Sequence, residues 1–128
     1  MKRILFILIV ALTAITASAK EPQLAGPALF TEKIMRDPHV VATIVNSSGN
    51  YYRGLEVNND KVLAAKVEAA VKADQKIAYN VVENYNRGSY TMILNINRKG
   101  HLVNVGWTKT SDSSCSYFIQ SESREALE

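Results

Sequence analysis

The stretch that decides the fold is residues 51 to 74, YYRGLEVNNDKVLAAKVEAAVKAD. Its first part, YYRGLEV, is rich in aromatic and β-branched residues and puts Leu55 and Val57 on one parity, which predicts a strand with a buried face. Asn58, Asn59 and Asp60 follow, each with a short side-chain oxygen able to accept from the orphan amides of a first helical turn. From Lys61 to Asp74 the period changes. Leu63, Val67, Ala70 and Val71 recur at three and four residues and make one apolar stripe, while Lys61, Glu68 and Lys72 fall on the other side. Glu68 and Lys72 are spaced for an i to i+4 pair. A strand therefore feeds directly into a surface helix that keeps one side down.

Upstream, HVVATIV at 39 to 45 is apolar on both parities, which predicts a strand buried on both faces or lying under a helix. NSSGN at 46 to 50 is turn chemistry, so this strand and YYRGLEV should pair as a hairpin. Before them, ALFTEKIMRDP predicts a short helix around Thr31 to Arg36. Asp37-Pro38 should end it, because the residue before proline is pushed out of the helical region.

Downstream, Tyr79, Val81 and Tyr85 share a parity with Glu83, and Tyr90, Met92, Leu94 and Ile96 form an apolar face opposite Thr91, Asn95 and Asn97. Asn86-Arg87-Gly88 and Asn97-Arg98-Lys99-Gly100 have hairpin length, with glycine where positive φ is wanted. Val103, Val105 and Trp107 share one side of a further strand, and Cys115, Tyr117 and Ile119 alternate in a last one. The order is short helix, β, β, α, β, β, β, β. This is an α+β fold with an antiparallel sheet of five to six strands and one main covering helix.

The chain has 128 residues and opens MKRILFILIVALTAITASAKEPQ. Lys2 and Arg3, an uncharged apolar run from Ile4 to Ile15, and Ala17-Ser18-Ala19 have the layout of a cleaved secretory signal, with Lys20 as the first mature residue. The run is shorter than the roughly 20 apolar residues needed to span a bilayer. Residues 1 to 19 are thus read as a signal peptide and 20 to 128 as a single domain, with a loose N-terminal arm (20–28) and a charged C-terminal tail (121–128). The expected location is the periplasm or outside the cell, with no membrane anchor after cleavage.

Export removes two of the 15 basic residues, leaving 13 against 12 acidic, a net charge of about +1. No long basic run remains, and phosphate binding needs clustered Lys and Arg, so nucleic acid is not the expected partner. A domain of this size buries roughly 60 to 70% of its unfolded surface and holds a core without metal or disulfide. Cys115 is the lone cysteine and cannot make an internal bridge. Its alternating neighbours, SCSYFIQ, predict a buried strand thiol.

YYRGLEV, the capped helix ending EAAVKADQK, and the alternating VVENYNRGSYTMILNI resemble, over residues 51 to 120, small exported proteins of Bacteroidota grouped as a domain of unknown function. In that group a Tyr-Arg-small-Leu strand leads into a Lys and Asp-rich helix and then a β-meander. The resemblance implies a signal peptide and an α+β fold; it implies no established activity and no catalytic residue.

The residues themselves point away from catalysis. A nucleophile and base would have to be Cys115 with His39 or His101, and both histidines fall at strand starts or in turns. The spacing of a zinc site, a calcium loop or a phosphate-cradling loop does not occur, so no cofactor or metal is expected. Geometry is more informative. A helix about 10 to 12 Å across covers two or three strands spaced about 4.8 Å, and a larger sheet keeps uncovered surface. Either the sheet curls, the N-terminal helix covers the remainder, or another molecule does. The expected function is a binding or interaction module of the cell envelope. Its open sheet face would hold a protein, a glycan or a second copy through Tyr51, Tyr52, Tyr79, Tyr85 and Trp107, since Tyr suits a half-wet contact face. The alternative is an exported hydrolase, inhibitor or stress-response protein without a recognisable motif.

Overall fold

The computed structural model describes residues 23–128, so the signal-peptide reading of residues 1 to 19 lies outside the described residues. Strands β1 (Val40–Ser47) and β2 (Asn50–Val57) form a hairpin, helix α2 (Lys61–Gln75) follows, and β3 (Asn80–Asn86), β4 (Ser89–Arg98), β5 (His101–Ser111) and β6 (Ser114–Ser121) run on as a meander. Helix α1 is the single turn Glu32–Met35, capped by Thr31, whose Oγ1 accepts from the Ile34 amide at 3.3 Å. The six strands make one antiparallel sheet in the order β1-β2-β6-β5-β4-β3. This is the α+β architecture and element order expected from the sequence.

The crossover explains the strand order. Between β2 and β3 lie four inter-strand spacings, roughly 19 Å, and the 15-residue α2 is about 22 Å long. The helix spans the gap, and β6, β5 and β4 fill it from below.

Three residues set the joint at the helix start. The Asn58 amide donates to the His39 carbonyl at 2.8 Å and closes the hairpin. Asn59 takes a left-handed φ of 59°, a conformation Asn tolerates better than most residues. Asp60 is the cap itself, its Oδ1 accepting from the Leu63 amide at 3.0 Å. In the β3-β4 and β4-β5 turns the glycines Gly88 and Gly100 sit at φ of 84° and 78°, the positive values these two-residue hairpins require.

The core lies on the helix side of the sheet. Leu55, Val57, Leu94, Val103, Val105 and Ile119 point up at Leu63, Val67 and Val71 of α2. Three expectations need correction. The arm at 20–28 is not loose over its described residues: Leu24 and Leu29 are buried, and Gly26–Leu29 forms a 3-10 turn against α2. The tail at 121–128 does not trail off. A second 3-10 turn, Glu125–Leu127, buries Ala126 and Leu127 completely beside β5 and β6, and the Arg98 Nη1 donates to the Ala126 carbonyl at 3.4 Å. Both ends thus cover sheet that a single helix is too narrow to reach. The third correction is β1, read as buried on both faces or lying under a helix; only Val40 and Ala42 pack against the core. It is an edge strand, with Val41, Ile44 and Val45 exposed, because the crossover places β6, and no further strand, beside the β1-β2 hairpin. Among the described residues no helix is long and apolar enough to cross a membrane.

Candidate functional site

Residues directly opposite each other in an antiparallel pair share a face, so the register sorts every side chain. Starting from buried Leu55, the face away from α2 carries Tyr52, Gly54 and Glu56 of β2, Ser116, Phe118 and Gln120 of β6, and Asn104, Gly106 and Thr108 of β5. On β4 it carries Thr91, Ile93 and Asn95. Among the described residues no element packs over this face.

Its centre is built by two glycines. Phe118 stands directly opposite Gly54 on one side and Gly106 on the other. Neither glycine has positive φ; what they provide is room. A Cβ at Gly106 would lie 2.1 Å from Cε1 of Phe118, and one at Gly54 would lie 2.8 Å from the Tyr52 hydroxyl. Both rings therefore lie down on the sheet, Phe118 over Gly106 and Tyr52 over Gly54. They stack on one another with centroids 5.7 Å apart and planes 20° from parallel. A groove of about 240 Å³ opens beside them, lined by Thr43, Glu56, Thr91, Ile93, Thr108 and Ser116. Around it polar side chains hold one another in place. Thr91 and Thr108 hydroxyls are 3.0 Å apart, and the Gln120 amide donates to Asn50 Oδ1 at 2.7 Å.

The residues expected at the site divide between the two faces. Tyr52 is on the open face. Tyr51 points to the helix side, half-buried against the core. Trp107 is also on the helix side and only 3% exposed, so it packs the core and is withdrawn from the open face. Tyr85 shares that side but lies on edge strand β3, where it is 75% exposed. Its ring meets Tyr90 at 4.8 Å, and Tyr90 meets Trp107 edge-on at 5.7 Å. This aromatic row runs into a separate cleft walled by Lys72, Glu68, Glu83 and Lys109. Burial, and then the hydrogen bond that Tyr90 donates to Glu83, pushes the Tyr90 hydroxyl far above its ordinary value. Tyr79 is exposed and precedes β3, its amide donating to the Asn95 carbonyl at 3.0 Å. The structure thus brings Tyr85 and Trp107 together through Tyr90 and leaves Tyr52 with Phe118. Phe118, Gly54 and Gly106 were not among the residues expected at the site. The available signal was glycine inside two strand patterns, which marks a close approach.

The groups considered for chemistry have other tasks. Cys115 is buried, and burial pushes its thiol up, so at neutral pH it is the weakly nucleophilic acid form. His39 Nδ1 lies 3.1 Å from Asp37 Oδ1, and His101 Nδ1 lies 3.4 Å from Glu122 Oε1. Asp37, His39 and Asp60 place ligand atoms within 4.8 Å of one another. Asp37 Oδ1 already accepts the His39 amide at 2.8 Å, and Asp60 Oδ1 caps α2. No protein-family model, curated protein or solved structure matches the chain.

Proposed function

We propose that the protein is exported and acts in the cell envelope as a non-catalytic binding module that holds its partner on the open sheet face. The observation that carries this reading is the Tyr52–Phe118 pair, laid flat on Gly54 and Gly106 beside a groove, on a face that none of the described elements covers. Glycine inside a strand costs roughly 0.5 to 1 kcal/mol relative to alanine. Two of them, each lying under an aromatic ring, are a device for a flat apolar platform. Export is supported by the layout of residues 1 to 19, with its basic start, apolar run and small residues before Lys20. It also agrees with the resemblance to small exported proteins of Bacteroidota.

Capture from native envelope extract tests the reading, with the purified protein as bait beside its Tyr52→Ser and Tyr85→Ser variants. The expected result is a partner retained by the wild type and by Tyr85→Ser and lost with Tyr52→Ser, both variants remaining folded by circular dichroism. Equal retention by all three would place the contact elsewhere. Size-exclusion chromatography with light scattering separates a second copy from a foreign partner.

A further inference from the structure

Building on the open-face reading above, we infer that the occupant is a neutral glycan, lying as an extended chain across the Tyr52–Phe118 pair. The charge map selects it. Among the strand residues whose side chains point to this face, Glu56 alone is charged; the others are Asn, Gln, Ser, Thr and glycine, the two rings, and the aliphatic Val41, Val45, Val82, Ile93 and Leu102. Lys and Arg are kept to the helix side, the helix and the turns. A phosphate, sulfate or carboxylate ligand needs a cation or an Arg fork to replace its hydration, and this face offers neither. An anionic lipid surface is excluded for the same reason.

The neutral groups match sugar chemistry in two ways. Amides and hydroxyls both donate and accept, as sugar hydroxyls do, and Thr43, Thr91, Asn104, Thr108, Ser116 and Gln120 surround the rings with such groups. The rings themselves are flat apolar surfaces, suited to the C–H face of a pyranose, and Tyr52 adds a hydroxyl at its wet end. A protein partner fits less well. Interface hot spots are enclosed by contacts that exclude water, whereas here the hydroxyls of Thr43, Thr91, Thr108 and Ser116 and the Glu56 carboxylate stand among Val41 and Ile93 in the groove wall. The groove, at about 240 Å³, is smaller than the roughly 300–1,000 Å³ of a pocket that encloses its ligand. It takes one unit of a chain that continues over the sheet.

Affinity electrophoresis of the purified protein through gels containing a β-glucan, an α-glucan, a mannan, a xylan or a galactan tests this, with polygalacturonate as the anionic control. At least one neutral polymer should retard the wild type, and polygalacturonate should not. Tyr52→Ala should weaken binding about tenfold or more, equivalent to about 1.4 kcal/mol. Thr108→Glu keeps both rings and adds a charge beside the groove; it gives up the hydroxyl contact with Thr91 but should remain folded by circular dichroism while weakening binding similarly. Tyr85→Ala should bind as the wild type does. Retardation by polygalacturonate alone, or loss of binding in Tyr85→Ala but not in Tyr52→Ala, overturns the inference. So does the absence of retardation by every neutral polymer. If that absence accompanies Tyr52-dependent capture of an envelope protein, the glycan falls and the open-face function stands. If neither glycan nor partner depends on Tyr52, both fall.

Discussion

Replacing Asp74 by alanine is expected to destabilise the protein by about 2 to 4 kcal/mol, through one local event, release of the N-terminal segment. Asp74 sits in the last turn of α2 and is 1% exposed. Its Oδ1 accepts from the Ala25 amide at 2.6 Å and its Oδ2 from the Gly26 amide at 3.1 Å. The alanine variant leaves two backbone donors without an acceptor, each costing roughly 1 to 3 kcal/mol. The burial of a carboxyl group that the variant no longer has offsets part of this. In Asp74→Asn the side-chain oxygen can serve one amide while its NH₂ faces the other, so about half the effect is expected. For a domain near 100 residues, 2 to 4 kcal/mol lowers Tm by roughly 10 to 20 °C. Urea unfolding measures the loss, and amide exchange at Ala25, Gly26 and Leu29 locates it. If Asp74→Ala stays within about 0.5 kcal/mol of wild type and those amides keep their protection, Asp74 does not hold the arm and the reasoning is refuted.

The same residue gives a pH signature. Burial pushes the Asp74 carboxyl above its ordinary value of 3.8, against the opposing pull of the two amides and Arg98. Between 3.8 and the raised value the folded protein keeps a proton that the unfolded chain has released. Stability from this group therefore falls as pH rises through that window. The margin of wild type over Asp74→Asn should narrow with rising pH there, and a margin that widens contradicts the burial argument.

Glu68 should behave in the opposite sense. The hydrogen bond from Lys109 at 2.9 Å, assisted by Lys72, holds its carboxyl below the ordinary 4.5. Wild type should lose a small stability advantage over Glu68→Gln as pH falls through that lowered value, and salt should shrink the advantage; urea midpoints from pH 2.5 to 7 test both. Leu127→Ala removes a fully buried side chain from the C-terminal turn and should cost about 2 to 4 kcal/mol. A truncation after Glu122 that leaves the urea midpoint unchanged would show that the turn does not belong to the core. Cys115 should react slowly with iodoacetamide in the native state and quickly in urea, and equal rates would contradict its burial.

Local chemistry was legible in the sequence where a residue acts on its neighbours in the chain. Asp60 as the cap, the i to i+4 contact of Lys72 with Glu68 at 3.3 Å, and the glycines of two hairpins were readable because their partners lie within a few residues. Strand order was not, since β2 pairs with β6 across more than fifty residues and periodicity carries no information on pairing at that range. The two ends misled for a related reason. Leu24 stands at the end of a polar run and Ala126-Leu127 is a lone apolar pair in a charged tail, and only the three-dimensional gap beside α2 makes them core. Trp107 was placed on the correct parity with Val103 and Val105, but parity alone does not say which face the helix covers. The platform required register as well: Gly54 and Gly106 lie far apart in sequence and meet only across Phe118.

That platform also decides whether the open face is built for contact or merely tolerated by solvent. Gly106 has no positive φ to justify it, so alanine fits its backbone, and relieving glycine's chain entropy should stabilise the fold by about 0.4 to 1 kcal/mol if nothing else changes. The added Cβ would fall 2.1 Å from Phe118 Cε1, within overlap distance, so the ring must stand up and leave both the glycine and the Tyr52 stack. Losing that packing costs on the order of 1 kcal/mol, close to the entropic gain. Gly106→Ala should therefore leave stability nearly unchanged while abolishing the flat surface, and ligand capture should fall as far as it does in Tyr52→Ala. A residue kept for stability would show the reverse pattern, a clear loss of urea resistance with capture intact. Near-neutral stability with lost capture means that glycine at 106 shapes a binding surface; full capture with the ring displaced would mean that the stacked pair is ordinary sheet packing.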